Sequence, residues 1–279
     1  MPASVDSEIV EQRILEQAAR LPSGAAVTGW ASLRWQGATF FDGLGCGGTV
    51  RLDVPILLGA NRNIRASHGG IPSHEHFPVA ELVVVDGVPC SRAERAVFDE
   101  LRRVGELRGA VVVVDMAIAA GLTTLAEVEA FVVARLGWPG VRLARRVLVL
   151  VDGGSRSPQE TRMRLVWVLD VGMPRPLCNV PVFDLSGNLL GYPDILDPTL
   201  GVVGEYNGAD HLDSARYRRD VHREDLFRRA GLEYFTVVGG DLADRRLVVR
   251  RMESACERAR SRLGRPRGWT LEPPPWWQG

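Results

Sequence analysis

Tyr192-Pro193-Asp194-Ile195-Leu196-Asp197-Pro198-Thr199-Leu200-Gly201-Val202-Val203-Gly204-Glu205-Tyr206-Asn207 reads as two strands joined at an Asp-Pro-Thr turn. A turn centred between Thr199 and Leu200 sets Asp194 opposite Glu205 and Tyr192 opposite Asn207. Because strand side chains alternate, Asp194, Glu205 and Asn207 then emerge on one face. Directly opposed positions hold their Cβ atoms about 4.5–5.5 Å apart. Two ionised carboxylates at ~5 Å repel by about 3 kcal/mol at an effective dielectric near 20. Three arrangements relieve that repulsion: solvent exposure, protonation of one acid, or a divalent cation between them. Hard oxygen ligands of this kind suit Mg²⁺. Two unrelated surface acids are the plainer alternative.

The flanking sequence predicts an α/β segment around this hairpin. Helix 158–171 precedes strands 179–185, 189–196 and 201–206; helix 214–230, strand 232–238 and helix 242–263 follow. Glu160 falls in the first turn of the first helix, from which it could reach the same face. His211 follows the hairpin closely and is placed for proton transfer. Arg219 and Arg223 ride the next helix, where an arginine can hold a phosphate.

Composition bounds the rest. In 279 residues, 46% are apolar and 24% charged, with 34 acidic and 34 basic residues in balance. This excludes a collagen, a disordered tail and a disulfide scaffold. Cys46, Cys90, Cys178 and Cys256 lack any C-x-x-C spacing and read as small apolar residues in a reducing compartment. No signal peptide and no membrane span is expected, so a soluble cytoplasmic protein is the default. There is no lysine, an economy expected of a GC-rich genome, so any site that ordinarily employs one must use another residue. Nine arginines and two acids fill 245–267, a stripe that fits either a nucleic-acid footprint, with Arg245, Arg246 and Arg250 as phosphate contacts, or a solvated helix face.

The first half predicts an α+β region. Helices are expected at 7–21 and 25–36, strands at 49–58, 64–67 and 79–88, and a hairpin at Asp86-Gly87. Ser91 and Glu94 have capping-box spacing before helix 92–104, and helices 109–120, 124–136 and 140–151 follow. His74-x-His76 has metal-ligand character without a third ligand nearby and reads better as a surface loop. Asp152-Gly153-Gly154-Ser155 is the expected boundary, dividing the chain into 1–153, 154–264 and an irregular Pro/Trp tail, 265–279.

The series Ser157-Pro158-Gln159-Glu160-Thr161-Arg162, Gly172-Met173-Pro174-Arg175-Pro176, Asn179, Asp194, Glu205-Tyr206-Asn207-Gly208, His211, Arg219-Asp220, Arg223, Ala230-Gly231-Leu232 and Asp241-Leu242 resembles one family. It is similar to the actinobacterial domain of unknown function related to very-short-patch repair endonucleases, within the PD-(D/E)xK restriction-endonuclease-like superfamily. The resemblance covers about residues 155–263. It implies an α-β-β-β-α-β core and Mg²⁺- or Mn²⁺-dependent phosphodiester hydrolysis, of DNA, in defence or repair. Glu160 would be the helix acid, Asp194 and Glu205 the metal carboxylates, and His211 the histidine after the catalytic strand. Asn207 stands where the family mostly has Asp and the superfamily often Lys; its amide can orient water or phosphate but is no base at neutral pH. The first half more loosely resembles AbiEi-type antitoxin or transcriptional-regulator proteins, carried by residues 26–33 and 86–91 before helix 92–104. That resemblance implies a non-catalytic DNA-binding alternative, with a toxin or other protein as partner.

Overall fold

The computed structural model describes residues 6, 9–45, 48–60, 62, 64, 69–208 and 214–277, with the helix backbone alone for 214–221. The chain divides into two compact units, Met1–Gly153 and Gly154–Gly279. Both mix helices with sheet, and among the described residues no helix is long and apolar enough to cross a membrane.

The first unit begins with α1 (Val10–Ala18), β1 (Ala26–Val27), α2 (Gly29–Trp35), β2 (Val54–Leu57) and β3 (Gly70–Ser73). A 3₁₀ turn (Val79–Glu81), β4 (Leu82–Val85) and β5 (Val88–Ser91) complete a sheet in the order β3-β2-β1-β5-β4. Asp86 and Gly87 both take positive φ, 46° and 80°, the geometry a two-residue hairpin turn requires, and Val85 pairs with Val88 across it. The helices α3 (Ala93–Val104), α4 (Leu107–Ala119), α5 (Leu125–Val133) and α6 (Val141–Leu148) follow.

Three expectations change here. The helix expected over 25–36 is a short strand and then a helix, because Ala26 and Val27 pair with β2 and Gly29 turns the chain at φ 53°. Ser91 and Glu94 form no capping box, since Ser91 ends β5 with its hydroxyl 2.8 Å from that of Thr28. The strand expected over 64–67 falls mostly outside the described residues; the strand that pairs with β2 is 70–73.

The polar linker at 74–76 supplies an ionic cluster. Arg95, fully buried, pairs with Glu75 (2.9 Å), Glu81 (3.2 Å) and Asp99 (2.9 Å). Arg102 also holds Glu75 at 2.7 Å, and Arg135 pairs with Glu81.

The second unit opens with α7 (Pro158–Leu169), started by the Ser157 hydroxyl, which accepts from the Glu160 N–H, and by Pro158, which lacks the N–H a first turn leaves unused. Strands β6 (Val182–Asp184), β7 (Leu189–Gly191), β8 (Ile195–Asp197) and β9 (Val202–Asn207) follow, then α8 (Ser214–Arg229), β10 (Glu233–Val238), a 3₁₀ turn (Asp241–Ala243), α9 (Arg245–Arg260) and β11 (Trp269–Thr270). The strand expected over 189–196 is broken at Tyr192-Pro193-Asp194. Proline has no N–H for a ladder, and the two halves join different sheets: β7 enters the order β11-β6-β7, and β8 the order β10-β9-β8.

The hairpin register is the expected one, with Ile195 opposite Gly204, Leu196 opposite Val203 and Asp197 opposite Val202. Asp197 sets the turn by accepting the Thr199 and Leu200 N–H groups at 2.8 and 2.9 Å. From β9 the chain crosses through α8 and returns as β10, parallel to β9. Alternation then sorts the side chains. Ile195, Val202, Phe235 and Val237 pack with Met163, Trp167, Val248 and Met252 of α7 and α9. Leu196, Val203, Leu232 and Tyr234 pack with Phe227 of α8 and Trp269. The sheet is therefore buried on both faces, at roughly 1.5–3 kcal/mol for each large apolar side chain. The end of the chain is not wholly irregular: β11 pairs with β6, and Trp277 sets its edge against buried Phe183 at 5.0 Å.

Candidate functional site

One step beyond the last ladder pair of the β8–β9 hairpin stand Asp194 and Glu205. The Pro193 break frees Asp194 from continuing the ladder as plain backbone pairing; its carboxylate instead accepts the Tyr206 N–H at 2.7 Å. Glu205 is 2% exposed on the face that α8 covers. Its carboxylate accepts the Tyr234 hydroxyl at 2.7 Å and pairs with Arg223 at 3.0 Å. Gly191, at φ 151°, gives the stem of Arg223 its passage: a Cβ there would lie 3.2 Å from both Arg223 Cδ and the Phe227 ring.

Glu160 is held at the start of α7. It accepts the Arg156 N–H and the Asn179 side-chain amide, each at 2.8 Å. Asn179 also donates to the Gly154 carbonyl at 2.9 Å, and its own N–H donates to the Pro193 carbonyl at 3.0 Å. This positive-φ asparagine (52°) thereby ties the helix acid to the segment that carries Asp194.

The electrostatic result is concentrated on Asp194. Burial, reinforced by the charges of Glu160 and Glu205, pushes its carboxyl up to about 7, against the Tyr206 hydrogen bond and the Arg223 charge, which oppose the shift. Burial and the neighbouring Glu205 likewise push the Tyr234 phenol well up, so it stays a hydrogen-bond donor to Glu205 at all ordinary pH.

A hard divalent cation wants carboxylate oxygens, and in many phosphate-handling sites it takes only one or two of them with water and substrate completing the shell. Asp194 and Glu205 fit that demand in type. Glu160 acts on Asp194 through its charge, but among the described residues no group of three or more His, Cys, Asp or Glu comes together to cage a metal. Arg223 already neutralises Glu205, so a cation there would replace a guanidinium.

The other expected residues are distributed as follows. Asn207 ends β9, partly exposed, its carbonyl accepting the Gly239 N–H at 3.0 Å. His211 lies outside the described residues, as does the side chain of Arg219. Of the 245–267 stripe, Arg251 is tied to Asp241, while Arg258 (2.9 Å) and Arg262 (3.0 Å) answer buried Glu233. Arg245, Arg246 and Arg250 are exposed at the start of α9 and make no ion pair among the described residues. Tyr234 and Asn179 are the partners that sequence reasoning left without a role. The parity of strand 232–238, matched to that of Glu205, was the signal for Tyr234. Asn179 stood in the series that carries the resemblance, but without a role.

Comparison with family models, with curated proteins and with solved structures gives no match for this chain.

Proposed function

We propose that the second unit is a Mg²⁺- or Mn²⁺-dependent nuclease of the restriction-endonuclease-like kind, acting on DNA in the cytoplasm, in defence or repair. The observation that carries this reading is the placement of Asp194, just before β8, and Glu205, on antiparallel β9, one step past the hairpin ladder, with Glu205 and Glu160 near enough to load negative charge on Asp194. A carboxyl raised to about 7, by burial first and by the charges of Glu160 and Glu205 after it, is costly to ionise, and a divalent cation relieves that cost. The succession α7, β6, β7, β8, β9, α8, β10, with β8, β9 and β10 in one sheet and the β9–α8–β10 crossover parallel, is in keeping with such a core, with β6 and β7 set apart in a second sheet.

Asp194 and Glu205 would hold the cation, which when bound supplies charge neutralisation at the phosphate and a more acidic water. Tyr234 fixes the Glu205 carboxylate. Asn207 would orient water or phosphate through its amide. His211 would act as the base or as a phosphate contact. Arg219 and Arg223 would hold the phosphate near the carboxylates, and Arg245, Arg246 and Arg250 the DNA backbone.

A second reading rests on a specific contact. Arg223 already occupies the charge of Glu205, as expected of a domain that binds DNA without cutting it. The chain would then be an AbiEi-like regulator or antitoxin, its first unit engaging DNA or a toxin. The test is incubation of supercoiled plasmid with the protein and Mg²⁺ or Mn²⁺. Nicking or cutting is expected, and its loss in Asp194→Asn. Equal cleavage by that variant defeats the nuclease assignment. Calorimetry showing no divalent binding, beside a metal-independent gel shift, establishes the second reading.

A further inference from the structure

At the turn end of the β8–β9 hairpin, a cavity of about 190 Å³ opens between the Thr199–Gly201 turn, the end of α9 and the chain leading to β11. The charged side chains that line it are all cationic. Arg262, Arg265 and Arg267 border it together with the indole of Trp269. Arg267 is pinned, donating to the Thr199 carbonyl at 3.1 Å with its guanidinium 5.2 Å from the Trp269 ring. Arg262 is shared with Glu233, while Arg265 is exposed and makes no ion pair among the described residues.

Trp269 is the decisive member. It is 6% exposed as a whole, and its indole N–H, the only polar atom of the side chain, makes no hydrogen bond among the described residues but stays open to solvent. That nitrogen faces Gly201, where a Cβ would stand 3.8 Å from it, and Gly201 lines the cavity. An indole N–H that opens into a recess can exchange water for the oxygen of a bound acceptor. The carboxylates close by are already committed: Asp197 to the turn N–H groups, and Glu233 to two arginines. What remains is a recess of directed donors and positive charge, matched by a ligand that only accepts.

We propose that this cavity is an oxyanion site that takes a phosphate group, with Trp269 Nε1–H and Arg265 as its directed donors and Arg267 as its fixed cationic wall. A guanidinium fork and a single N–H suit the several equivalent oxygens of a phosphate. The group belongs either to the terminal monoester of a nucleic-acid strand or to a backbone diester. This site is separate from the Asp194–Glu205 pair and does not depend on that pair being catalytic.

The test follows the indole N–H resonances of the seven tryptophans by ¹H–¹⁵N NMR on the full chain, with Trp269→Phe identifying the relevant peak. Inorganic phosphate should shift that one resonance saturably, while chloride at equal ionic strength should not. Arg265→Gln should weaken the apparent affinity about tenfold, as expected when one charge-assisted hydrogen bond is removed. A single-stranded oligonucleotide with and without a 5′-phosphate separates the sources. A response to the phosphorylated strand alone assigns a monoester, and an equal response to both assigns a diester. A Trp269 resonance that moves with none of the three probes, that moves as much with chloride, or whose response is unchanged in Arg265→Gln overturns the proposal.

Discussion

Replacing Asp194 by asparagine should stabilise the protein at pH 8 and leave it nearly unchanged at pH 4. The folded carboxyl titrates at about 7 against an ordinary value of 3.8. The native state therefore holds the proton more tightly than the unfolded chain between those limits, and stability falls as pH rises through the interval. At about 1.4 kcal/mol per unit, the whole displacement corresponds to ~4 kcal/mol of strain carried by the ionised form at pH 8. Because Asp194 is only partly buried, solvent screening reduces this to roughly 2 kcal/mol. The substituted amide would keep the oxygen that accepts the Tyr206 N–H while removing the charge that Glu160 and Glu205 oppose. Urea unfolding of both proteins at intervals from pH 4 to 8 measures the effect. The first unit titrates identically in both, so the difference isolates Asp194. A difference that stays flat with pH, or a variant less stable at pH 8, refutes the reasoning.

Arg223→Met removes the cation from buried Glu205 and should cost about 1–3 kcal/mol, at the lower end because the guanidinium is 37% exposed. If the carboxylate pair accepts a divalent ion, the same variant should bind Mn²⁺ several-fold more tightly by calorimetry. Arg95→Met leaves Glu75, Glu81 and Asp99 around an absent partner and should cost about 3–5 kcal/mol, read from the denaturant midpoint of the first unit. Replacing Arg245, Arg246 and Arg250 together by alanine should lower the log–log salt slope of DNA binding by about 2.7, at ~0.9 for each phosphate no longer neutralised. An unchanged slope places the DNA elsewhere.

The parts of the fold legible in the sequence were those fixed by short-range chemistry. Asp197 and its turn set the hairpin register, Asp86-Gly87 set another, and Ser157-Pro158 started α7. Long-range competition decided the rest. Ser91 has a helix-capping side chain, but a hydroxyl 63 residues away claimed it. Leu189–Leu196 alternates like one strand, yet Pro193 lets its halves serve two sheets. In the site, the opposition of Asp194 and Glu205 followed from counting along the hairpin. Tyr234 and Arg223 meet Glu205 because β10 returns parallel to β9 and α8 lies over that face, a long-range arrangement of which strand parity at Tyr234 gives only one side.

The ionic cluster around Arg95 gives the first unit a pH response opposite in sense to that of the second. Arg102, aided by Arg95, holds the Glu75 carboxyl below its usual range despite partial burial. Its contribution is complete above the ordinary glutamate range and disappears only as acid protonates it. Guanidinium groups keep their charge to beyond about pH 12, so alkali does not undo the cluster from its cationic side. Acidification thus loosens one half of the chain while relieving the other, and the order in which the halves melt becomes a function of proton concentration.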